Sequence, residues 1–362
     1  PPLFGNLNNN GETDIVVATR NGKIYAWDQN GNKVIPNDFM GQKVSLSGDT
    51  VNFSLALFAD AGEDISVSPL VGDINDDGVD EIVAVTNEGH VLGWVGKDEN
   101  GDGLADEILD WKGNSDRPSV LIFTSPEKRI IMGTQTGKVL TLYGSNLIWK
   151  RALSSASVTG ISQYGSEGKL AVTTANSEIF LLDSTGDILW QKTFTQGEKL
   201  TSSTAWFLPN QLSIVTLSSQ GLGLVIDEVG NEKARFGENV LPELPSSPAV
   251  GDLDGDGFME IVTTANGQIW CFNHNGSLVD NFPAPRFERD VNLSSPILGD
   301  VDGDGKIDVI VTCSNGNIEA YNNNGNMVDG FPLTTGGSQI VSPLLLDLDN
   351  AVSYTHLTLP TN

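Results

Sequence analysis

Cysteine is nearly absent from this chain: Cys271 and Cys313 are the only two in 362 residues, so no disulfide framework organises it. Both lie in apolar, strand-like runs and read as buried thiols; a single disulfide is the alternative, and the redox compartment stays open. Basic residues are scarce as well. Twenty Lys and Arg stand against 47 Asp and Glu, a formal charge of −27. Such a surface repels phosphate backbones and argues against nucleic acid as a partner. No apolar run approaches the ~18 residues of a membrane helix, so membrane insertion is not expected. Of three histidines, His90 and His274 sit at or beside hairpin turns, where a solvated role outweighs a catalytic one, and His356 lies near the chain end. Gly-x-Ser-x-Gly, His-Glu-x-x-His and phosphate-cradling loops are missing, so no catalytic or cofactor-binding residue is assigned.

Glycine, by contrast, is abundant at 40 residues, and hydrophobic residues at 39% suffice for a packed core. The glycines are periodic. Residues 246–279 and 294–328 align as one unit: Ser-Pro, a short apolar strand, an Asp-rich loop, a second apolar strand, then two Asn-Gly turns (Asn266-Gly267 and Asn275-Gly276; Asn315-Gly316 and Asn324-Gly325). Asn-Gly between apolar runs marks a hairpin, because both turn positions need positive φ. The nine-residue spacing recurs at Gly22 and Gly31 and at Gly221 and Gly230. Repeats start near Pro2, Pro69, Pro118, Val158, Ser203, Pro248, Pro296 and Pro343; after the first, the spacing is about 40 to 50 residues, the length of a four-stranded blade. Residues 37–65 are extra sequence in the first repeat, read as an added hairpin.

Strands such as Ile269-Trp270-Cys271-Phe272 and Ile179-Phe180-Leu181-Leu182 are apolar on both faces. A sheet wetted on one side would alternate instead. The expected fold is therefore an all-β propeller over residues 1–350, with seven full repeats and the start of an eighth. The first residues already fall inside a repeat, so the natural N-terminus is expected upstream. Residues 351–362 break the pattern, resemble translated adaptor sequence, and are set apart as a non-native tail. Whether the parent has seven or eight blades stays open. In an eight-bladed parent residues 1–350 leave a gap; in a seven-bladed one Leu344–Leu348 lies against the first blade.

Four segments read D-x-[DN]-x-D-G-x-x-[DE]. They comprise Asp73, Asn75, Asp77, Val79 and Glu81; Asp98, Asn100, Asp102, Leu104 and Asp106; Asp252, Asp254, Asp256, Phe258 and Glu260; and Asp300, Asp302, Asp304, Lys306 and Asp308. Positions 1, 3 and 5 turn oxygens inward, glycine at 6 permits the bend, the carbonyl at 7 and the acid at 9 complete an oxygen cage suited to Ca2+. Without a cation, neighbouring carboxylates repel by ~1–4 kcal/mol per pair near a surface. About four calcium ions are expected. An EF-hand is excluded because its bidentate Glu at position 12 is Ala84, Leu109, Thr263 or Val311 here, between β-rich flanks. The Asp98 loop falls between the third and fourth strands and is an insertion. Asn6-Leu7-Asn8-Asn9-Asn10-Gly11-Glu12-Thr13-Asp14 occupies the equivalent place in the first repeat with one strong ligand, Asp14, and Asp347-Leu348-Asp349 begins another loop.

SPLVGDINDDGVDEIV (68–83), SPAVGDLDGDGFMEIV (247–262) and SPILGDVDGDGKIDVIV (295–311) resemble the FG-GAP or VCBS repeats of extracellular, integrin-like propellers. The resemblance implies a secreted or cell-surface protein. Ile179 to Trp190 is similar to the repeat of quinoprotein-like propellers, which implies that Trp190 docks one blade on the next; the adjacent cysteine pair of the quinone enzymes has no counterpart in Cys271 and Cys313. Some rhamnogalacturonan lyases also have similar loops, but the Lys-Trp-Asp-Pro-like segment that follows there is Thr263-Thr264-Ala265-Asn266 here. The expected function is a non-catalytic, extracellular calcium-binding module for adhesion, binding or scaffolding, with a glycan or protein partner. A polysaccharide lyase and a quinone-dependent dehydrogenase are the alternatives.

Overall fold

The computed structural model describes residues 2–28, 30–34, 57–113, 116–165, 167–194, 200, 204–208, 211–286, 291–336, 342–346 and 356–358. It divides into two compact units, residues 2–158 and residues 159–362 together with residue 1. Every regular element among the described residues is a β-strand. Accordingly, no helix there is long and apolar enough to cross a membrane.

The first unit holds three antiparallel sheets whose strands pair in sequence order. Sheet one is β1 (Leu3–Gly5), β2 (Asp14–Ala18), β3 (Lys23–Trp27) and β4 (Leu57–Asp60). Sheet two is β5 (Leu70–Gly72), β6 (Glu81–Val85), β7 (Val91–Val95) and β8 (Asp106–Trp111). Sheet three is β9 (Pro118–Thr124), β10 (Arg129–Thr134), β11 (Lys138–Tyr143) and β12 (Asn146–Ala152).

The second unit continues the meander. Sheet four is β13 (Val158–Tyr164), β14 (Lys169–Thr174), β15 (Glu178–Leu182) and β16 (Ile188–Thr193). Sheet five is β17 (Thr204–Leu208), β18 (Gln211–Leu217), β19 (Gly223–Asp227) and β20 (Glu232–Phe236). Sheet six is β21 (Ala249–Gly251), β22 (Glu260–Ala265) and β23 (Gln268–Phe272). Sheet seven is β24 (Ile297–Gly299), β25 (Asp308–Thr312), β26 (Asn317–Tyr321) and β27 (Leu333–Thr334). Beyond it β28 (Leu344–Leu346) pairs with β29 (His356–Thr358) and packs beside β24. The extra segment of the first repeat falls largely on residues 35–56, outside the described residues, as do Asp347 and Asp349.

Seven of the expected repeat starts thus coincide with first strands, and one expectation needs correction. Among the described residues sheet six has three strands, its fourth reduced to a bridge between Phe272 and Leu278 and a bond from Ala284 N to Ile269 O. Proline explains it: Pro283 and Pro285 lack the N–H that a ladder needs. The fourth strand of sheet seven, just after Pro332, is only two residues long.

The apolar faces account for the stacking. On β6, Ile82 and Ala84 join Val16, Ile24 and Phe58 of sheet one in one cluster, while Val83 and Val85 join Ile130, Met132 and Leu140 of sheet three in another. In the second unit, Ile261, Trp270 and Phe272 cluster with Val215, Val225 and Phe236 of sheet five, and Val262, Ile269 and Cys271 cluster with Val309, Val311 and Tyr321 of sheet seven. Each fully buried aliphatic or aromatic side chain contributes ~1.5–3 kcal/mol.

Within each unit, first strands of neighbouring sheets come close, β1 to β5 and β5 to β9 in one, β17 to β21 and β21 to β24 in the other. A Cβ on Gly251 would lie 2.9 Å from Leu298 of sheet seven, and one on Gly299 would lie 2.2 Å from Leu345. A larger residue there would require those leucine side chains to shift. The glycine preceding the first loop aspartate is thus a packing residue, set immediately beside the candidate ligands.

Candidate metal centres

Three acidic loops occupy the same place in their sheets, joining the first strand to the second: β5 to β6, β21 to β22, and β24 to β25. The Asp98 loop joins β7 to β8, as the insertion reading requires. All four share one frame of hydrogen bonds. At position 1, Asp252 accepts from Gly255 N at 2.8 Å and Gly257 N at 3.0 Å, and Asp300 accepts from Gly303 N at 2.7 Å and Gly305 N at 2.8 Å. Asp73 accepts likewise from Asp76 and Gly78, and Asp98 from Gly101, Asp102 and Gly103. Position 3 caps the amide of position 5: Asn75 to Asp77, Asn100 to Asp102, Asp254 to Asp256, and Asp302 to Asp304. Position 5 caps the amide of position 7: Asp77 to Val79, Asp102 to Leu104, Asp256 to Phe258, and Asp304 to Lys306.

Position 9 reaches back beneath the loop. Glu81 accepts from Ile74 N, Glu260 from Leu253 N, Asp308 from Val301 N and Asp106 from Glu99 N, at 2.7–3.0 Å. Glu81, Glu260 and Asp308 are almost wholly buried. Burial first, and the surrounding loop aspartates second, push Glu81 and Glu260 up to about 7 and Asp308 up to about 6. Burial thus disfavours the charged form of these acids.

The carboxylates converge most tightly in the second unit. One oxygen each from Asp252, Asp254 and Glu260 lie within 4.8 Å of one another, as do oxygens of Asp300, Asp302 and Asp304. In the Asp73 loop, Asn75 Nδ2 instead donates to Glu81 Oε1 at 2.9 Å and Asp77 Oδ2 at 3.3 Å. Lys128 Nζ approaches Asp73 Oδ2 to 2.7 Å and holds that carboxyl below the usual range.

The first loop repeats the frame with amides. Asn8 and Asn10 cap Asn10 N and Glu12 N, and Asp14 Oδ2 accepts from Leu7 N at 2.8 Å. Asp14 is wholly buried and pushed up to about 6, burial again leading. Its Oδ1 and the Oδ1 of Asn6, at positions 9 and 1, are buried without a hydrogen-bond partner. Orphaned oxygens at the two ends of such a loop suit a cation, and an all-oxygen donor set with one to four carboxylates suits Ca2+.

Two features escape the sequence pattern. Position 4 takes a left-handed backbone like position 6: φ is 79° at Gly255, 78° at Gly303, 76° at Gly101 and 70° at Asp76. In the loops that join first to second strands, position 2 is an apolar anchor, with Leu7, Ile74 and Leu253 buried; in the inserted loop it is the exposed Glu99. Elsewhere, Cys271 and Cys313 are buried free thiols. His90 Nδ1 lies 3.1 Å from Glu63, and His274 stacks on Phe258 with centroids 4.4 Å apart. Trp190 of sheet four donates its indole N–H to Glu228 O at 2.9 Å and lies over Gly230 of sheet five, the docking role expected of it.

Residues 252–311 and 300–350 match the model of the FG-GAP-like repeat. Residues 252–350 carry FG-GAP-like repeats. No curated protein matches it by sequence. Among solved structures it is similar to the computationally designed Ika8 protein (TM-score 0.65, 13% identity, 92% of this chain and 88% of that one covered). BamB from Moraxella catarrhalis matches with TM-score 0.62 and 13% identity over 96% and 88% of the two chains. Sqt1 of Chaetomium thermophilum, solved bound to the N-terminus of the ribosomal protein L10, matches with TM-score 0.61 and 12% identity over 90% and 85%. At such identity the likeness is one of fold alone, and that fold is the β-propeller. The FG-GAP-like match begins at the Asp252 loop and includes both tight carboxylate clusters.

Proposed function

We propose that this FG-GAP-like propeller is a non-catalytic, calcium-stabilised module for binding or scaffolding that works outside the cell. The observation that carries the reading is the convergence of Asp252, Asp254 and Glu260, and of Asp300, Asp302 and Asp304, within 4.8 Å. In each of the four loops, positions 1, 3, 5 and 9 and the carbonyl of position 7 would hold one ion, about four in all at saturation. A bound calcium ion supplies charge neutralisation, and the loop residues supply the preformed bend. The extracellular part of the reading is supported by the match to FG-GAP-like repeats, which are often found outside the cell.

Binding has a candidate place. A cavity of about 370 Å³ at the edge of sheets six and seven is lined by Ser246, Thr264, Asn266, Asn292, Ser294 and Ser342 among others. Hydroxyl and amide groups without charge suit a neutral hydrogen-bonding ligand, such as a glycan or a peptide backbone. Sqt1 offers a precedent for a propeller that seats a protein segment.

Native mass spectrometry in calcium tests the metal assignment. Asp254→Ala and Asp302→Ala should each lose one ion, while Asp187→Ala, on a turn without the motif, keeps them all. Equal ion counts in the three variants would refute it. Each ion should also stabilise the fold by about 2.7 kcal/mol at a hundredfold excess over its Kd, read as a melting shift between calcium and chelator.

A further inference from the structure

Sheet three lacks an acidic loop: a short turn, Ser125 to Lys128, joins β9 to β10 where sheet two carries its Asp73 loop. That turn sends Lys128 back to the neighbouring sheet. Its Nζ lies 2.7 Å from Asp73 Oδ2 and 2.5 Å from Asp76 Oδ1, with only 23% of the side chain exposed. We propose that Lys128 is a tethered competitor for the cation site of the Asp73 loop, so that this loop fills at higher calcium than the loops at Asp252 and Asp300. The inference rests on the reading of these segments as calcium loops and assigns them an order of filling.

Three observations support it. First, Lys128 engages the carboxylate at position 1, a candidate ligand itself. An arriving dication must break two charge-assisted bonds or tolerate a positive neighbour. Second, position 4 is glycine at Gly101, Gly255 and Gly303 but aspartate at Asp76, held at φ 70°. A side chain in that strained place fits an added role, and Asp76 Oδ1 holds the ammonium. Third, the remaining acids of this loop are already served: Asn75 Nδ2 donates to Asp77 and Glu81, at a position that is Asp254 or Asp302 in the other two loops. Among the described residues, no ion pair to a lysine or arginine is found for Asp252, Asp254, Asp300 or Asp302.

The inserted loop offers a useful contrast. Lys33 Nζ donates to the carbonyl of Gly103 at 2.7 Å, a group outside the candidate ligand set. Among the described residues, Lys128 is the lysine of the first unit with an ion pair to position 1 of an acidic loop.

The test is a calcium titration of the whole chain followed by native mass spectrometry. In the unaltered protein the ion lost on Asp73→Asn should bind more weakly than those lost on Asp254→Asn and Asp302→Asn. Lys128→Met should tighten that ion by about tenfold or more, Lys128→Arg should leave it as it was, and Asp73→Asn/Lys128→Met should abolish it. Lys128 sits at φ 51°, where methionine meets the same backbone cost as lysine; Lys128→Gln replaces it if methionine impairs folding. Identical titrations with and without Lys128 would overturn the proposal, and so would an Asp73 loop that stays empty in Lys128→Met while the loops at Asp254 and Asp302 fill. If Asp254→Asn and Asp302→Asn bind as many ions as the unaltered chain, the calcium reading itself fails and this proposal falls with it.

Discussion

Arg286 and Glu319 form a two-pronged ion pair in which both side chains are almost entirely withdrawn from water: Nε lies 2.8 Å and an Nη 2.9 Å from the two carboxylate oxygens. The arginine comes from the segment after sheet six and the glutamate from β26, so the pair ties the two sheets. Arg286 also donates to Gly267 O, and Tyr321 donates its hydroxyl to Glu319 Oε2 at 2.7 Å. Burial pushes Glu319 up, yet the arginine and tyrosine outweigh it and leave the carboxyl below its usual range.

Arg286→Met strands that buried carboxylate and should cost about 3–5 kcal/mol in urea denaturation. Arg286→Met/Glu319→Leu removes both charges and should recover a large part of the loss. A double variant as unstable as the sum of its singles would show that the pair is not coupled.

Without metal, the chain should be less stable at neutral pH than in mild acid. The unfolded reference for Glu81 and Glu260 is 4.5, and both reach about 7 in the fold. Between those values the folded state binds more protons, so stability is greatest at the lower end and is lost as pH rises through about 7. Melts in chelator at pH 5 and 7.5 would show it. Calcium should flatten the slope, and Glu260→Gln should remove part of it; an unchanged slope in that variant would count against the assignment.

Gly299→Ala drives a methyl into Leu345, and the loss should be about 1–3 kcal/mol, the usual cost of overpacking. Trimming the partner in Gly299→Ala/Leu345→Ala should relieve part of it. Chemical denaturation of the four proteins of that cycle measures the coupling, and strict additivity would rule out the contact.

The fold and loops were largely legible because their signals are local. Asn-Gly turns, two-sided apolar strands and D-x-D-x-D-G spacing each act within a dozen residues; Gly267 and Gly316 do take positive φ, while of the asparagines before the four glycines only Asn266 does, so the other turns are not of the doubly left-handed type expected. What stayed hidden depends on distant partners. Glu319 in an otherwise apolar strand gave no hint of Arg286, 33 residues earlier, and Lys128 is 55 residues from Asp73. The Asn6 loop looked poor in ligands, because the burial of Asp14 is set by the sheets around it. Pro283 and Pro285 could have flagged the missing fourth strand of sheet six, had the repeat not suggested four everywhere.

Each apolar cluster described above is shared by two successive sheets and no more. Stability in such an arrangement approximates a sum of intrinsic and nearest-neighbour terms, as in a one-dimensional chain of coupled spins. An event at one acidic loop is therefore felt by the sheets flanking it and fades beyond them. Amide hydrogen exchange should open in whole-sheet steps, with protection on binding an ion strongest in its own sheet and weaker in the next.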